Sequence, residues 1–241
     1  MHPVISFIVP AYNEEQLLGQ TLESIHSAAR AIGEPYEVIV VDDGSTDQTS
    51  LVAQRNGARV VPVEHRKISA TRNSGADVAL GEFFFFVDAD TLVDTPVLQA
   101  AIHALRSGAV GGGAAFKFDG AVPWYARLLL PMVVLFFRLT GIATGCFLFC
   151  KKSAFMAVGG FDEAYFGAEE IVLSKALRRH GRFEVLKQSV TTSGRKLRTF
   201  SNREVASLLL RIARQGRRGV KQRQGMELWY GERRKDPKQE G

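Results

Sequence analysis

Four consecutive phenylalanines, Phe83 to Phe86, run through Val87 straight into Asp88-Ala89-Asp90-Thr91. A continuous apolar run ended by a charged turn predicts a strand buried on both faces, as in a parallel sheet. In open α/β sheets the ligand crevice lies outside the carboxyl ends of such strands. Asp88 and Asp90 stand two residues apart, so in extended backbone both carboxylates point to one side. Together they can hold one hard divalent cation, Mg2+ or Mn2+, completed by substrate phosphates. Taken alone, Asp-x-Asp is equally a solvated acidic turn, and the rest of the chain has to decide.

The chain before this run repeats a strand–helix alternation. Residues 6–9 form the core of a first strand, which Pro10 breaks. Asn13 sits as an N-cap, with Glu14 and Glu15 in the first turn of a helix carrying Leu17, Leu18, Leu22 and Ile25. Residues 36–41 predict a second buried strand ending in Asp42-Asp43-Gly44-Ser45-Thr46-Asp47, where Ser45 or Thr46 can cap a helix toward Asn56-Gly57. Arg59–Val63 reads as a short strand and residues 69–80 as a helix closed by Gly81. The pattern predicts a parallel α/β sheet with right-handed crossovers. Beyond about residue 110 it changes. Three glycines, Gly111 to Gly113, precede a strand-like segment over 114–118, and a long apolar stretch runs from Trp124 to Phe149. A helix then spans about Glu169 to His180.

A chain of 241 residues can bury the core of one large α/β domain, with or without a tail. Its two cysteines, Cys146 and Cys150, make neither a zinc-ligand set nor a disulfide framework, so a reducing cytoplasm is expected. The N-terminus reaches a strand-like segment by Val4 without a basic region or cleavage site, so no signal peptide is expected. Net charge is +6, unevenly spread. Residues 1–194 carry seventeen basic and twenty acidic side chains, whereas Arg195 to Arg223 hold ten basic ones and one acid. Such a block favours an anionic partner: phospholipid, pyrophosphate or nucleic acid.

Five segments recur in a familiar order: Val9-Pro10-Ala11-Tyr12-Asn13-Glu14, Val41-Asp42-Asp43-Gly44-Ser45-Thr46-Asp47, Arg72-Asn73-Ser74-Gly75, Val87-Asp88-Ala89-Asp90-Thr91 and Gly159-Gly160-Phe161-Asp162-Glu163. Together, over roughly residues 4–195, they resemble family 2 glycosyltransferases of the GT-A fold. The resemblance implies a Rossmann-like, mostly parallel twisted sheet flanked by helices. Residues 1–110 would form its nucleotide-binding half and 111–195 its acceptor half, followed by a basic helical tail over 196–241.

The resemblance also implies roles. Pro10, Ala11 and Tyr12 line the base and ribose, and Glu14 approaches the nucleoside. Asp42 or Asp43 accepts hydrogen bonds from base or ribose. Arg72 lies near the diphosphate or base, where a guanidinium suits phosphate. Asp90 ligates the metal, while Asp88, joined to it through Ala89, contacts ribose or metal. Family members place a Glu-Asp pair at the start of a late helix, and the Asp acts as base. Glu169-Glu170 match that pair, with Glu170 at the base position. Its extra methylene displaces the carboxylate by about an ångström, which matters in proximity chemistry, so Glu169 stays a rival. Both acids equally suit a helix N-terminus for its dipole alone. Gly160 makes a turn or lets backbone approach the sugar, Phe161 and Asp162 face the sugar, and Arg195 or Arg198 helps close over the pyrophosphate.

The implied activity is metal-dependent, inverting transfer of a sugar from a UDP- or GDP-type donor to an acceptor hydroxyl. A non-catalytic nucleotide-sugar-binding module at a membrane surface is the alternative. A nucleotidyltransferase would need a glycine-rich basic loop after the first strand, and residues 10–15 provide none.

Residues 128–137 are almost wholly apolar, and Arg138 interrupts them. A spanning helix needs about twenty apolar residues, so a buried helix followed by a core strand is expected. The sharper alternative is an acceptor-side helix that dips into the membrane interface and receives a lipid-linked substrate. In the tail, Val205, Leu208, Leu209 and Ile212 repeat as one helical face among arginines. That helix packs on its own domain or binds an anionic lipid surface. No nucleic-acid fold signature accompanies it. The expected location is cytoplasmic, with peripheral contact at the inner face of the membrane as the alternative.

Overall fold

The computed structural model describes residues 2–201 and, beyond them, 203, 204, 207, 216–224, 226, 230, 231, 234 and 236. The chain runs β1 (Ile5–Ala11), α1 (Leu18–Ile32), β2 (Tyr36–Asp43), α2 (Thr49–Arg55), β3 (Arg59–Val63), α3 (Ile68–Val78), β4 (Phe83–Val87) and β5 (Thr91–Leu92). It continues through α4 (Thr95–Arg106), β6 (Gly111–Phe118), α5 (Trp124–Thr140), β7 (Phe147–Lys151), α6 (Lys152–Ala157), α7 (Glu169–Arg178), β8 (Phe183–Thr192) and α8 (Arg195–Thr199). The strands form one sheet in the order β3-β2-β1-β4-β7-β6-β8-β5. The β3, β2, β1 and β4 neighbours are parallel, and so are β6 and β8, while β7 runs against both β4 and β6.

The phenylalanine run explains itself in this frame. β4 is central, so both its faces are covered: Phe85 joins the core beneath α1 and α4, and Phe84 and Phe86 join the core beneath α3, α6 and α7. A strand covered on both faces has no need of alternation. The chain order places β2 and β3 on one side of β1 and β4 on the other. That reversal opens a crevice at the carboxyl ends of β1 and β4.

Several local expectations are corrected. Pro10 does not end β1, which continues to Ala11. Pairing with β4 stops at Ile8, so Pro10 pairs with Val41 alone and its missing N–H costs no ladder bond on the other side. Asn13 does not cap α1, which starts at Leu18. Its Oδ1 instead accepts the Thr46 N–H at 2.8 Å, and its own N–H donates to Ser45 Oγ at 2.9 Å. These capping-type groups tie the loop after β1 to the loop after β2, and neither Ser45 nor Thr46 caps α2, which begins at Thr49. The glycine triplet lies inside β6, because Phe149 crosses there: a Cβ on Gly112 would sit 2.4 Å from its Cζ.

The largest correction concerns α5. β7 is the expected core strand, but none of the residues of α5 is buried. The sheet's two faces are already filled by the other helices, leaving α5 to rest on the ends of β6 and β8. The predicted tail stripe of Val205, Leu208, Leu209 and Ile212 lies outside the described residues. Two described tail residues, Val220 and Met226, pack on Tyr165 beside the crevice.

Candidate active site

The crevice is an open cleft with about 720 Å³ of empty space, its mouth included. Pro10 and Ala11 end β1, Tyr12 and Glu14 follow it, Asp43 ends β2, and Asp88, Ala89 and Asp90 follow β4. The Arg66 guanidinium stands 3.7 Å over the Tyr12 ring, making a flat wall. Asp43 accepts the Arg66 N–H at 2.7 Å, the Lys67 N–H at 3.0 Å and the Thr71 hydroxyl at 2.8 Å, so it anchors the start of α3 from the cleft's edge. Asp42 lines no part of the cleft. It accepts the Ser45 N–H and the Ser50 hydroxyl.

Glu14 is committed to Arg195. Arg195 Nη2 reaches both carboxylate oxygens at 2.8 Å, with both side chains buried. Burial alone would lower the Arg195 pKa, but Glu14 outweighs it and the pKa rises. Arg198 is likewise held, by Asp119 and Asp236. The cleft's cations are instead Arg66, Lys67, Lys196 and Arg223, with Tyr230 beside them. Of these, Lys196 was adjacent to an expected site residue. Arg223 belongs to the basic block that favours an anionic partner, whereas Tyr230 carried no signal; the return of the tail brings both here.

Burial pushes the Asp90 carboxyl up to about 6. Lys196 opposes the shift, and Glu14 and Asp88 add to it. Asp88 accepts Arg72 Nη2 at 2.8 Å. Among the described residues no group of three or more His, Cys, Asp or Glu side chains is arranged to hold a metal. The donor set is therefore two carboxylates on one strand end. That fits a hard cation held by one or two carboxylates and completed by a ligand's phosphates, and it does not fit a cage made by protein alone.

Across this loop stands the start of α7. Arg72, 3% exposed, joins the two sides: its Nη1 donates to Glu169 Oε1 at 2.8 Å and its Nη2 also to the Gly145 carbonyl at 2.9 Å. Burial would lower the Arg72 pKa, but Asp88, Glu169 and Glu170 outweigh it and raise it. Glu169 is buried in this pair. Glu170 is partly buried beside Gly145, and burial, then Glu169, push its carboxyl up to about 8 against the pull of Arg72.

The Gly160 segment departs from expectation. Phe161 is 2% exposed and packs edge-to-face on Phe86 with ring centroids 4.9 Å apart, so its ring belongs to the core. Gly160 has φ +73°, and a Cβ there would lie 2.8 Å from Asn73 Oδ1. Asn73 clamps this turn, accepting the Phe161 N–H and donating to the Phe161 carbonyl, each at 2.9 Å. Asp162 is exposed and accepts the Ala164 N–H. None of Gly160, Phe161 and Asp162 lines the cleft; they brace the segment before α7.

Comparison with known proteins bears on the family and the fold. The sequence model described as glycosyl transferase family 2 matches residues 6–161. Validoxylamine A glucosyltransferase of Streptomyces hygroscopicus subsp. jinggangensis is 27% identical over 221 residues, covering 74% of this chain and 52% of that protein. Undecaprenyl-phosphate 4-deoxy-4-formamido-L-arabinose transferase of Edwardsiella ictaluri is 33% identical over 165 residues, covering 62% of this chain and 49% of that protein. The chain thus spans about half the length of these relatives. A mannosyltransferase from Pyrobaculum calidifontis, in complex with GDP-Man and Mn2+, aligns with TM-score 0.67 at 22% identity, covering 86% of this chain and 61% of that one. S. aureus TarS in complex with UDP-GlcNAc aligns at 0.60 and 22% identity, covering 79% and 58%. These structural likenesses establish the GT-A fold.

Proposed function

The chain belongs to glycosyl transferase family 2, and on that premise we propose that it moves a sugar from a nucleoside-diphosphate donor to an acceptor hydroxyl. The observation that carries the reading is the Arg72 bridge. It fixes the Asp88 loop at the donor cleft and the Glu169-Glu170 pair in one rigid arrangement.

The donor's base stacks along Tyr12, whose ring Arg66 backs, and its diphosphate lies toward Lys196, Lys67 and Arg223. Asp90, with Asp88 beside it, would hold Mg2+ or Mn2+, which would supply positive charge to the leaving diphosphate. Glu170 takes the proton of the acceptor hydroxyl. The acceptor oxygen then bonds to the sugar's anomeric carbon as the bond from that carbon to the diphosphate oxygen breaks. The bonding pair leaves with the nucleoside diphosphate, so a single in-line displacement inverts the anomeric centre. Arg72 pairs with the buried Glu169, and Glu169 raises the proton affinity of Glu170, which suits Glu170 as the base. A non-catalytic binding module gives no reason for an acid of raised pKa across from the cleft, and that reading is not favoured.

A UDP- or GDP-type donor is supported by the two structural neighbours, bound to UDP-GlcNAc and GDP-Man. A lipid-linked acceptor is supported by the relative that acts on undecaprenyl phosphate. We place the reaction in the cytoplasm, in keeping with two buried cysteines that form no disulfide. The test is thermal-shift binding of UDP, GDP, CDP, dTDP and ADP with and without manganese, followed by hydrolysis of the matching sugar nucleotides. Metal-dependent stabilisation by one diphosphate, lost in Asp90→Ala, is the expected result. No stabilisation by any of the five would reject the donor cleft.

A further inference from the structure

α5 presents an apolar ridge to the outside. Trp124, Leu128, Met132, Leu135 and Leu139 recur at spacings of three and four, which sets them on one helical face. All are exposed, Trp124 by 77% and Leu139 by 78%, and Leu129, Val133 and Phe136 widen the ridge. Burying such a surface against water-free material is the dominant drive available to it.

The charges carried by α5 itself are of one sign. α5 carries Arg127 and Arg138 and no acid. At its far end Arg138 donates to the Lys187 carbonyl and Arg178 to the Thr140 carbonyl, which brings Lys187 and Arg178 beside it. At its near end Lys117 and Arg127 line an open surface hollow with about 790 Å³ of empty space, its mouth included, together with Phe118 and Leu130. Asp119, the acid that precedes α5, is engaged by the Gly194 N–H and by Arg198. An apolar ridge rimmed by five cations is complementary to an anionic lipid surface, with acyl chains against the ridge and phosphates against the rim.

The geometry also decides how the helix sits. Seventeen residues span only about 26 Å at 1.5 Å per residue, with Pro131 inside. Among the described residues no helix is long and apolar enough to cross a membrane. We propose that α5 is an in-plane membrane-docking helix that seats the protein on an anionic phospholipid surface. Both its ends lead to the active site. Asp119 holds the start of α8 through Gly194 and Arg198. The residues after α5 carry the Gly145 carbonyl that Arg72 grips and the Cys146 carbonyl that accepts the Asp88 N–H. The segments that flank α5 therefore connect the docking helix to both sides of the cleft. The docking itself is independent of the transfer reaction.

The test is flotation of the 241-residue chain with vesicles of phosphatidylcholine containing phosphatidylglycerol, against vesicles of phosphatidylcholine alone. The variant combines Leu128→Glu, Met132→Glu and Leu139→Glu, three exposed positions on the ridge, and its melting temperature and nucleotide binding report an intact fold. Wild type is expected to float with the anionic vesicles, less so at high salt because the rim is screened. The variant is expected to lose at least about tenfold in partitioning. Trp124 emission should shift to the blue on these vesicles, and Trp124→Phe should lose that change. Three results would overturn the proposal: no flotation of wild type, equal flotation of the variant, or sedimentation showing that the ridge pairs two copies of the chain while vesicles remain unbound.

Discussion

Arg72 and Glu169 form a buried ion pair, Nη1 to Oε1 at 2.8 Å, with side-chain exposures of 3% and 6%. The pair separates the roles of two adjacent acids that look equivalent in sequence. Glu169 has its charge matched and its position fixed, while Glu170 is left to titrate in the surroundings that the pair creates. Arg72→Met strands the buried Glu169 carboxylate, and a loss of roughly 3–5 kcal/mol is expected in urea unfolding. Adding Glu169→Gln to Arg72→Met should restore part of that loss, since the uncompensated charge is gone.

Glu170→Gln should lower turnover by about a hundredfold or more, the range of a lost general base, while leaving metal-dependent nucleotide binding unchanged in thermal shift. Glu169→Gln should act in the opposite proportion, with melting temperature falling first. Equal damage to turnover with no change in stability would make Glu169 the base.

The raised Glu170 pKa has consequences for both stability and rate. Its folded value of about 8 lies above the ordinary 4.5, so between the two the folded protein holds a proton that the unfolded chain has released. Stability therefore falls as pH rises across that window, with a limiting slope of about 1.4 kcal/mol per pH unit, and levels off above it. Turnover should move the other way, rising as Glu170 deprotonates. Melting curves from pH 5 to 9 should flatten in Glu170→Gln, and the rising limb of the rate profile should vanish.

Asp90→Asn keeps the shape of the strand end and removes the charge. Manganese should then add little to nucleotide-dependent stabilisation, while stabilisation by nucleotide alone persists through Tyr12 and the cleft's cations. Titration calorimetry with and without metal distinguishes the two contributions.

Gly160→Ala forces a side chain into a left-handed turn and toward Asn73 Oδ1. A cost of about 1–3 kcal/mol is expected, with turnover impaired because the turn braces the approach to α7. Asn73→Ala removes that contact together with its two hydrogen bonds to Phe161, so the double variant should lose less stability than the sum of the two single losses, measured by denaturant midpoint.

The sequence alone determined the architecture and the line of the cleft. Hydrophobic runs, turns and motif order report local backbone and burial demands, so β4, the parallel half of the sheet and the placement of Asp88 and Asp90 at a strand end were all readable. What it left open was set by distant groups. Glu169 meets Arg72 across 97 residues, and Glu14 meets Arg195 across 181. Periodicity carries no record of such partners, and so Arg195 was expected at the pyrophosphate and Phe161 at the sugar. α5 shows the same limit. Its composition says that it must leave water, but only the tertiary structure shows that the sheet's faces are already occupied. The apolar face of α5 is therefore left on the outside.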